Sequence, residues 1–264
     1  RKHYHQGFHI TATAGIFGST VAVARILGLS KKNTLNALSI ASSLSSGIKG
    51  QFGSMAKPLQ VGIAASKAVD SVIMAQKGIT GDTEILDKSN GYGKTYLADF
   101  NDVAFSKLGK KFLIDDIKFK FHACCHGTHA ALEALIYLRD KYKLKANLID
   151  TIKIITNPQY LKICNIESPK NGLEIKFSYK MLSALIISKF NTASLNTYTD
   201  EKCKKENLLK INKKVKIISD EKISETKTKV IINLRSGKIL KKTYDLKDKI
   251  SFSLLEKKLF FKAK

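Results

Sequence analysis

Proline occurs three times in the 264 residues and cysteine four times, and among the 46 basic residues only Arg1, Arg25, Arg139 and Arg235 are arginine. Each scarcity closes a line of interpretation. So few prolines leave no room for a proline-rich linker, and no tandem repeat is evident at solenoid periods. Four cysteines, two of them adjacent, make a poor disulfide framework for a chain of this size and point to a reducing, cytoplasmic setting. Arginine is the residue that reads nucleic acid through bidentate contacts, so the formal charge of +24 matches a genome-wide lysine bias better than a nucleic-acid partner. Long apolar runs are missing as well. The most apolar stretch, Ile10 to Leu29, is interrupted by Thr, Ser, Gly and Arg25, which suits a buried helix and not a membrane span.

With 44% apolar residues the chain can bury a core, as one large domain or two moderate ones. Its two parts have different habits. From Gly7 to about Leu97 the sequence is rich in Ala, Gly and Ser at helical spacing. It predicts a helix over Ala14–Leu27, a second that Ser30 caps and that runs to about Leu44, and a third with Pro58 in its first turn that stops at Gly78. Beyond about Lys111, period-two alternation predicts strands at Ile114–His122, Leu148–Thr156, Val215–Ser219 and Lys227–Asn233. The last continues through a turn at Gly237 into Ile239–Tyr244 as a hairpin. The lysine-dense segment from Asp200 to Asp248 keeps β-branched alternation, so its charges read as solvated strand faces.

The stretch Lys120-Phe121-His122-Ala123-Cys124-Cys125-His126-Gly127-Thr128-His129 concentrates reactive side chains where a strand pattern gives way to a helix pattern. The alternation predicts Lys118, Lys120 and His122 on one strand face, and Gly127 and Thr128 near a helix start whose free N–H groups attract anions. A carboxylate or phosphate site is the natural reading. The histidines and cysteines also invite zinc. Structural zinc sites usually pair two short ligand clusters, whereas Cys164 and Cys203 are single and far apart, so no metal is expected. Cys124 and Cys125 read as small buried residues.

Several segments, in order, resemble the MmgE/PrpD family, which includes 2-methylcitrate dehydratases, cis-aconitate decarboxylases and iminodisuccinate epimerases. They are Gly7-Phe8-His9, Ala24-Arg25-Ile26-Leu27-Gly28-Leu29, Ala56-Lys57-Pro58-Leu59-Gln60, Gly78-Ile79-Thr80-Gly81, Ile117 through His129, and Phe177-Ser178-Tyr179. The resemblance implies a mainly α large domain plus a smaller α+β lid domain, with the active site in the cleft between them. Residues 1–114 would belong to the helical domain, 115–249 to the lid, and 250–264 to the return toward the helical domain. It also implies that His9, Lys57, Lys120 and Tyr179 are active-site residues. Family substrates are small di- and tricarboxylates, so lysines hold carboxylates while a histidine or tyrosine moves a proton. Neither metal nor organic cofactor is implied.

Cys125 stands where decarboxylase members carry histidine, which speaks against that branch and offers His122 as a substitute imidazole. The leading expectation is therefore dehydration of a 2-methylcitrate-like acid, with epimerisation or decarboxylation of a similar acid as alternatives. The resemblance also implies an aspartate-rich N-terminal helical region, carrying another histidine of the site, ahead of the part that begins at Arg1, and final helices beyond Phe260. The resemblance thus implies a truncated or split member, a homodimer or a chain complemented by a separate N-terminal partner, with an inactive fragment as the non-enzyme alternative.

Overall fold

The small and apolar residues that recur every three to four positions in the first part form three long helices: α1 (Gly15–Ile26), α2 (Lys31–Leu44) and α3 (Ala56–Gln76). Their ends follow local chemistry. Ser30 Oγ accepts a hydrogen bond from Asn33 N at 3.2 Å, satisfying a backbone donor that α2 leaves open. The computed structural model describes residues 2–98 and 102–263, which cluster into two compact units, Arg1–Asp115 and Asp116–Lys264.

In the first unit the three helices pack through alanine. Ala12, Ile16, Ala41, Ala64 and Ala68 form one buried cluster, and Ala24, Ala37, Val72 and Ala75 form another. A methyl side chain removes little apolar surface, about 0.8 kcal/mol per buried carbon, so stability here depends on close approach of the helix backbones. Tyr92 ties the cluster to its surroundings. Its hydroxyl donates to the Thr13 carbonyl at 2.8 Å, and its ring stacks on Tyr96 at 4.5 Å.

In the second unit, helix α4 (His129–Lys141) covers a four-stranded sheet of β1 (Ile149–Thr156), β2 (Val215–Ser219), β3 (Lys227–Leu234) and β4 (Ile239–Asp245). The strand order is β2-β1-β3-β4, with β1 parallel to β2 and antiparallel to β3. A parallel pair needs a crossover, and the segment between β1 and β2 supplies it with α5 (Tyr179–Ile187) and α6 (Glu206–Asn212). Alternation then sorts the faces. Ile152, Ile154, Val230, Ile232 and Leu240 are buried beside Leu132, Leu135 and Leu182, while Lys216, Lys227 and Lys241 face outward as expected. Gly237 has φ +83° in the β3–β4 turn, a conformation that suits glycine at the expected hairpin.

One expected strand does not form. Leu113–Asp116 is a 3₁₀ turn, residues 117–120 are irregular, and Ile117 and Phe119 are about half exposed. Alternation reports an extended tendency, whereas a strand also needs a partner edge. Residues 121–125 are held instead by two separate backbone bonds, Ala123 N to Thr192 O at 2.9 Å and Cys125 N to Lys176 O at 3.0 Å. The chain ends with α7 (Phe252–Ala263), which groups with the second unit. No described helix is long and apolar enough to cross a membrane.

Candidate functional site

His9 is fixed from both sides in the first unit. Its backbone N–H donates to the Gly47 carbonyl at 3.0 Å, and its own carbonyl receives the amides of Ala12 and Thr13, which makes it the residue that opens the short helix Ile10–Thr13. The ring is nearly buried and has a defined tautomer. Gln60 Nε2 donates to the Ile48 carbonyl at 3.3 Å, which turns Gln60 Oε1 toward His9 Nδ1 at 2.9 Å. In the neutral ring the proton then lies on Nδ1 and the lone pair on Nε2.

Phe52 joins this histidine to the first expected lysine. The His9 and Phe52 rings meet edge to face at 5.1 Å, and the Lys57 ammonium sits 4.2 Å from the Phe52 centroid. Lys57 lies in the first turn of α3, where the helix dipole opposes its charge and favours an anion beside it. Gly47 allows the approach. It has φ +141°, and a Cβ there would lie 2.9 Å from Ala12 Cβ and 3.3 Å from Gln60 Oε1. Sequence reasoning named His9 and Lys57 but gave no role to Phe52, Gln60 or Gly47. Gln60 and Gly47 lie 51 and 38 residues from His9, and only folding brings them together.

In the second unit Lys120 is exposed and His122 is buried, so the two do not share the common face that alternation predicted. The reason is the missing strand. His122 turns inward, with Nε2 3.1 Å from Glu133 Oε1 and Nδ1 2.7 Å from Thr192 Oγ1. Both ring nitrogens are thereby committed. The other Glu133 oxygen accepts from Lys258 Nζ at 2.5 Å. Burial pushes the Glu133 carboxyl up, but the hydrogen bond from His122 and the Lys258 charge outweigh it and hold the group below the usual carboxylate range.

Tyr179, the first residue of α5, is 1% exposed and belongs to the unit's core. Its hydroxyl donates to the Gly127 carbonyl at 2.8 Å, and burial pushes its pKa up. The phenol proton is thus held in a structural bond. Of the five expected site residues, His9 and Lys57 both contact Phe52 in the first unit, while Lys120, His122 and Tyr179 occupy three different environments in the second.

Residues 1–103 match the MmgE/PrpD N-terminal domain, and residues 122–250 match the MmgE/PrpD C-terminal domain. The chain belongs to the MmgE/PrpD family. Human cis-aconitate decarboxylase is 27% identical over 188 residues, 68% of this chain and 38% of the human protein. The cis-aconitate decarboxylase-like protein oryM of Aspergillus oryzae is 30% identical over 149 residues, 52% of this chain and 30% of its own length. Cis-aconitate decarboxylase of Aspergillus terreus is 26% identical over 147 residues. This MmgE/PrpD chain thus spans between 30% and 38% of the length of these relatives.

The cysteine and histidine cluster of this MmgE/PrpD chain packs around the start of α4. Burial pushes the Cys124 thiol up to about 11, and its Sγ lies 3.3 Å from Thr128 Oγ1, so it is a poor nucleophile near neutral pH. His129 is 1% exposed, and burial together with the neighbouring His122 and His126 pushes its pKa down to about 2. Its Nε2 is the sole buried side-chain nitrogen or oxygen without a hydrogen-bond partner among the described residues. Among those residues no three His, Cys, Asp or Glu side chains are placed to hold a metal ion.

Proposed function

We propose that this chain serves a lyase reaction on a small di- or tricarboxylate, in which a proton is removed from the carbon next to a carboxylate. The observation that carries this reading is the His9 tautomer. Gln60 places the proton of the neutral ring on Nδ1 and leaves the lone pair on Nε2, and Phe52 contacts both the His9 ring and the Lys57 ammonium. A base with a defined lone pair and a cation that share one neighbouring ring suits abstraction alpha to a carboxylate.

In the leading reading the reaction is dehydration of a 2-methylcitrate-like acid. His9 Nε2 takes the proton from the carbon next to the carboxylate, and Lys57 offsets the charge that develops there. The hydroxyl on the adjacent carbon then leaves as water with a proton from solvent, the carbon–carbon double bond forms, and His9 gives its proton back to solvent. Lys120, exposed on the second unit, is assigned to carboxylate binding. Tyr179 and His122 are assigned to support, because the hydroxyl proton of the first and both ring nitrogens of the second are engaged by protein groups.

Decarboxylation is the second reading. It is favoured by the relatives, which are named cis-aconitate decarboxylases. Proton NMR of 2-methylcitrate, citrate and cis-aconitate incubated with the protein separates the two. Loss of a hydroxy acid with appearance of an unsaturated one supports dehydration, and carbon dioxide release from cis-aconitate supports the second reading. Three unchanged spectra would refute both.

A further inference from the structure

We infer that the second unit binds an amphipathic anion, a medium-length hydrocarbon chain with one charged head group, in the cavity between α4, the end of α5 and the facing side of α7. The cavity measures about 530 Å³, within the range of small-molecule sites, and its walls are mainly apolar. Ile136 comes from α4, Ile186 and Phe190 from the end of α5 and the turn after it, and Leu254 and Phe261 from α7. Helical spacing explains why they converge. Leu254, Lys257, Lys258 and Phe261 recur every three to four residues and so share one face of α7. Lys258 holds that face over α4, because its Nζ donates to Glu133 Oε2 at 2.5 Å.

The charges around the cavity select the head group and its place. Four of them satisfy one another: Glu133 pairs with Lys258, and Arg139 Nε donates to Asp140 Oδ1 at 2.7 Å. Lys189 and Lys257 also border the cavity and have no ion-pair partner among the described residues. Both are exposed, so they stand at the mouth, whereas Ile186 and Glu133 are buried behind them. A small polyanion would have to bring its charges against apolar walls and the Glu133 carboxylate, which desolvation and repulsion oppose. A single anionic head at the two lysines with its tail inside meets neither cost, and each methylene buried tightens binding about fourfold.

Lys189 stands at a backbone position that often takes glycine. α5 ends in a Schellman motif, with Phe190 N bonded to Leu185 O at 2.9 Å and Lys189 N to Ile186 O at 3.0 Å, and Lys189 has φ +61°. Lys143 holds the same position after α4, with φ +48° and Leu144 N bonded to Arg139 O at 2.9 Å, but it does not border the cavity. The two lysines therefore separate a backbone effect from a charge effect. Glycine relieves the conformation at both sites and removes a cation from the mouth at only one.

The site stands independently of the proposed lyase reading. Calorimetric titration of the chain with monomeric decanoate at constant low salt tests it. One decanoate should bind per chain, with butyrate at least about a hundredfold weaker for its shorter tail and decanol roughly tenfold weaker for its missing charge. The double variant Lys189→Gly, Lys257→Gln should lose roughly tenfold in decanoate affinity and keep its decanol affinity, while Lys143→Gly keeps both. Equal decanoate affinity in the double variant and the parent, an equal loss in Lys143→Gly, or butyrate binding as tight as decanoate would overturn the inference. Displacement of decanoate by citrate would overturn it too, because the cavity would then belong to the polycarboxylate site. Decanoate binding with the expected pattern that citrate leaves unchanged supports the site, whether or not any acid is turned over.

Discussion

Replacing Glu133 with glutamine removes one charge at the centre of the second unit and changes almost no volume. The side chain is 7% exposed, and its partners His122 and Lys258 are 6% and 23% exposed. Breaking a fully buried ion pair by neutralising one member costs about 3–5 kcal/mol. Lys258 keeps part of its hydration, so the expected loss is nearer 2–3 kcal/mol. The pH dependence has a definite sign. The Glu133 carboxyl is held below its ordinary value of 4.5 in the fold, so its contribution is fully present above that range and is lost as pH falls through the lower folded value. Urea unfolding read by hydrogen exchange in α4 should therefore show a gap of about 2–3 kcal/mol at pH 7 that closes on acidification below the carboxylate range. A gap under about 0.5 kcal/mol at pH 7, or one that widens in acid, would refute the reasoning.

His129, whose pKa is pushed down to about 2, should remain neutral from pH 8 to pH 4 in imidazole NMR, and a midpoint near the ordinary 6.5 would contradict its burial. Because the folded value is the lower one, its contribution is present above 6.5 and falls by at most about 1.4 kcal/mol per pH unit as acid is added. Gly47→Ala forces a Cβ to 2.9 Å from Ala12 Cβ at φ +141°. A cost of about 1–3 kcal/mol in urea unfolding is expected, together with a disturbed His9 imidazole signal, and an unchanged signal would contradict the packing.

Local chemistry was legible in the sequence wherever one residue decides the outcome. Ser30 as a cap, Pro58 in a first turn, Gly78 at φ +93° and Gly237 in a hairpin all act within four residues of themselves. The segment from Ile114 to His122 was misread because alternation records a preference for extended backbone but not the presence of a free sheet edge. The candidate site was legible in part. His9 and Lys57 sit in short motifs, but the groups that give them a tautomer and a neighbour, Gln60 and Phe52, act through contacts that only the helix packing creates. No motif in the sequence marks Glu133. Its partners His122 and Lys258 lie 11 residues before it and 125 after it, and no local pattern links the three.

Solvent deuterium incorporation tests the role of His9 most directly. In deuterated water, citrate or 2-methylcitrate incubated with the protein should gain deuterium at the carbon next to a carboxylate. His9→Gln should lose at least about a hundredfold of that rate, as expected for removal of a general base. Deuterium uptake that His9→Gln leaves unchanged, or no uptake and no turnover with either acid, would contradict the assignment.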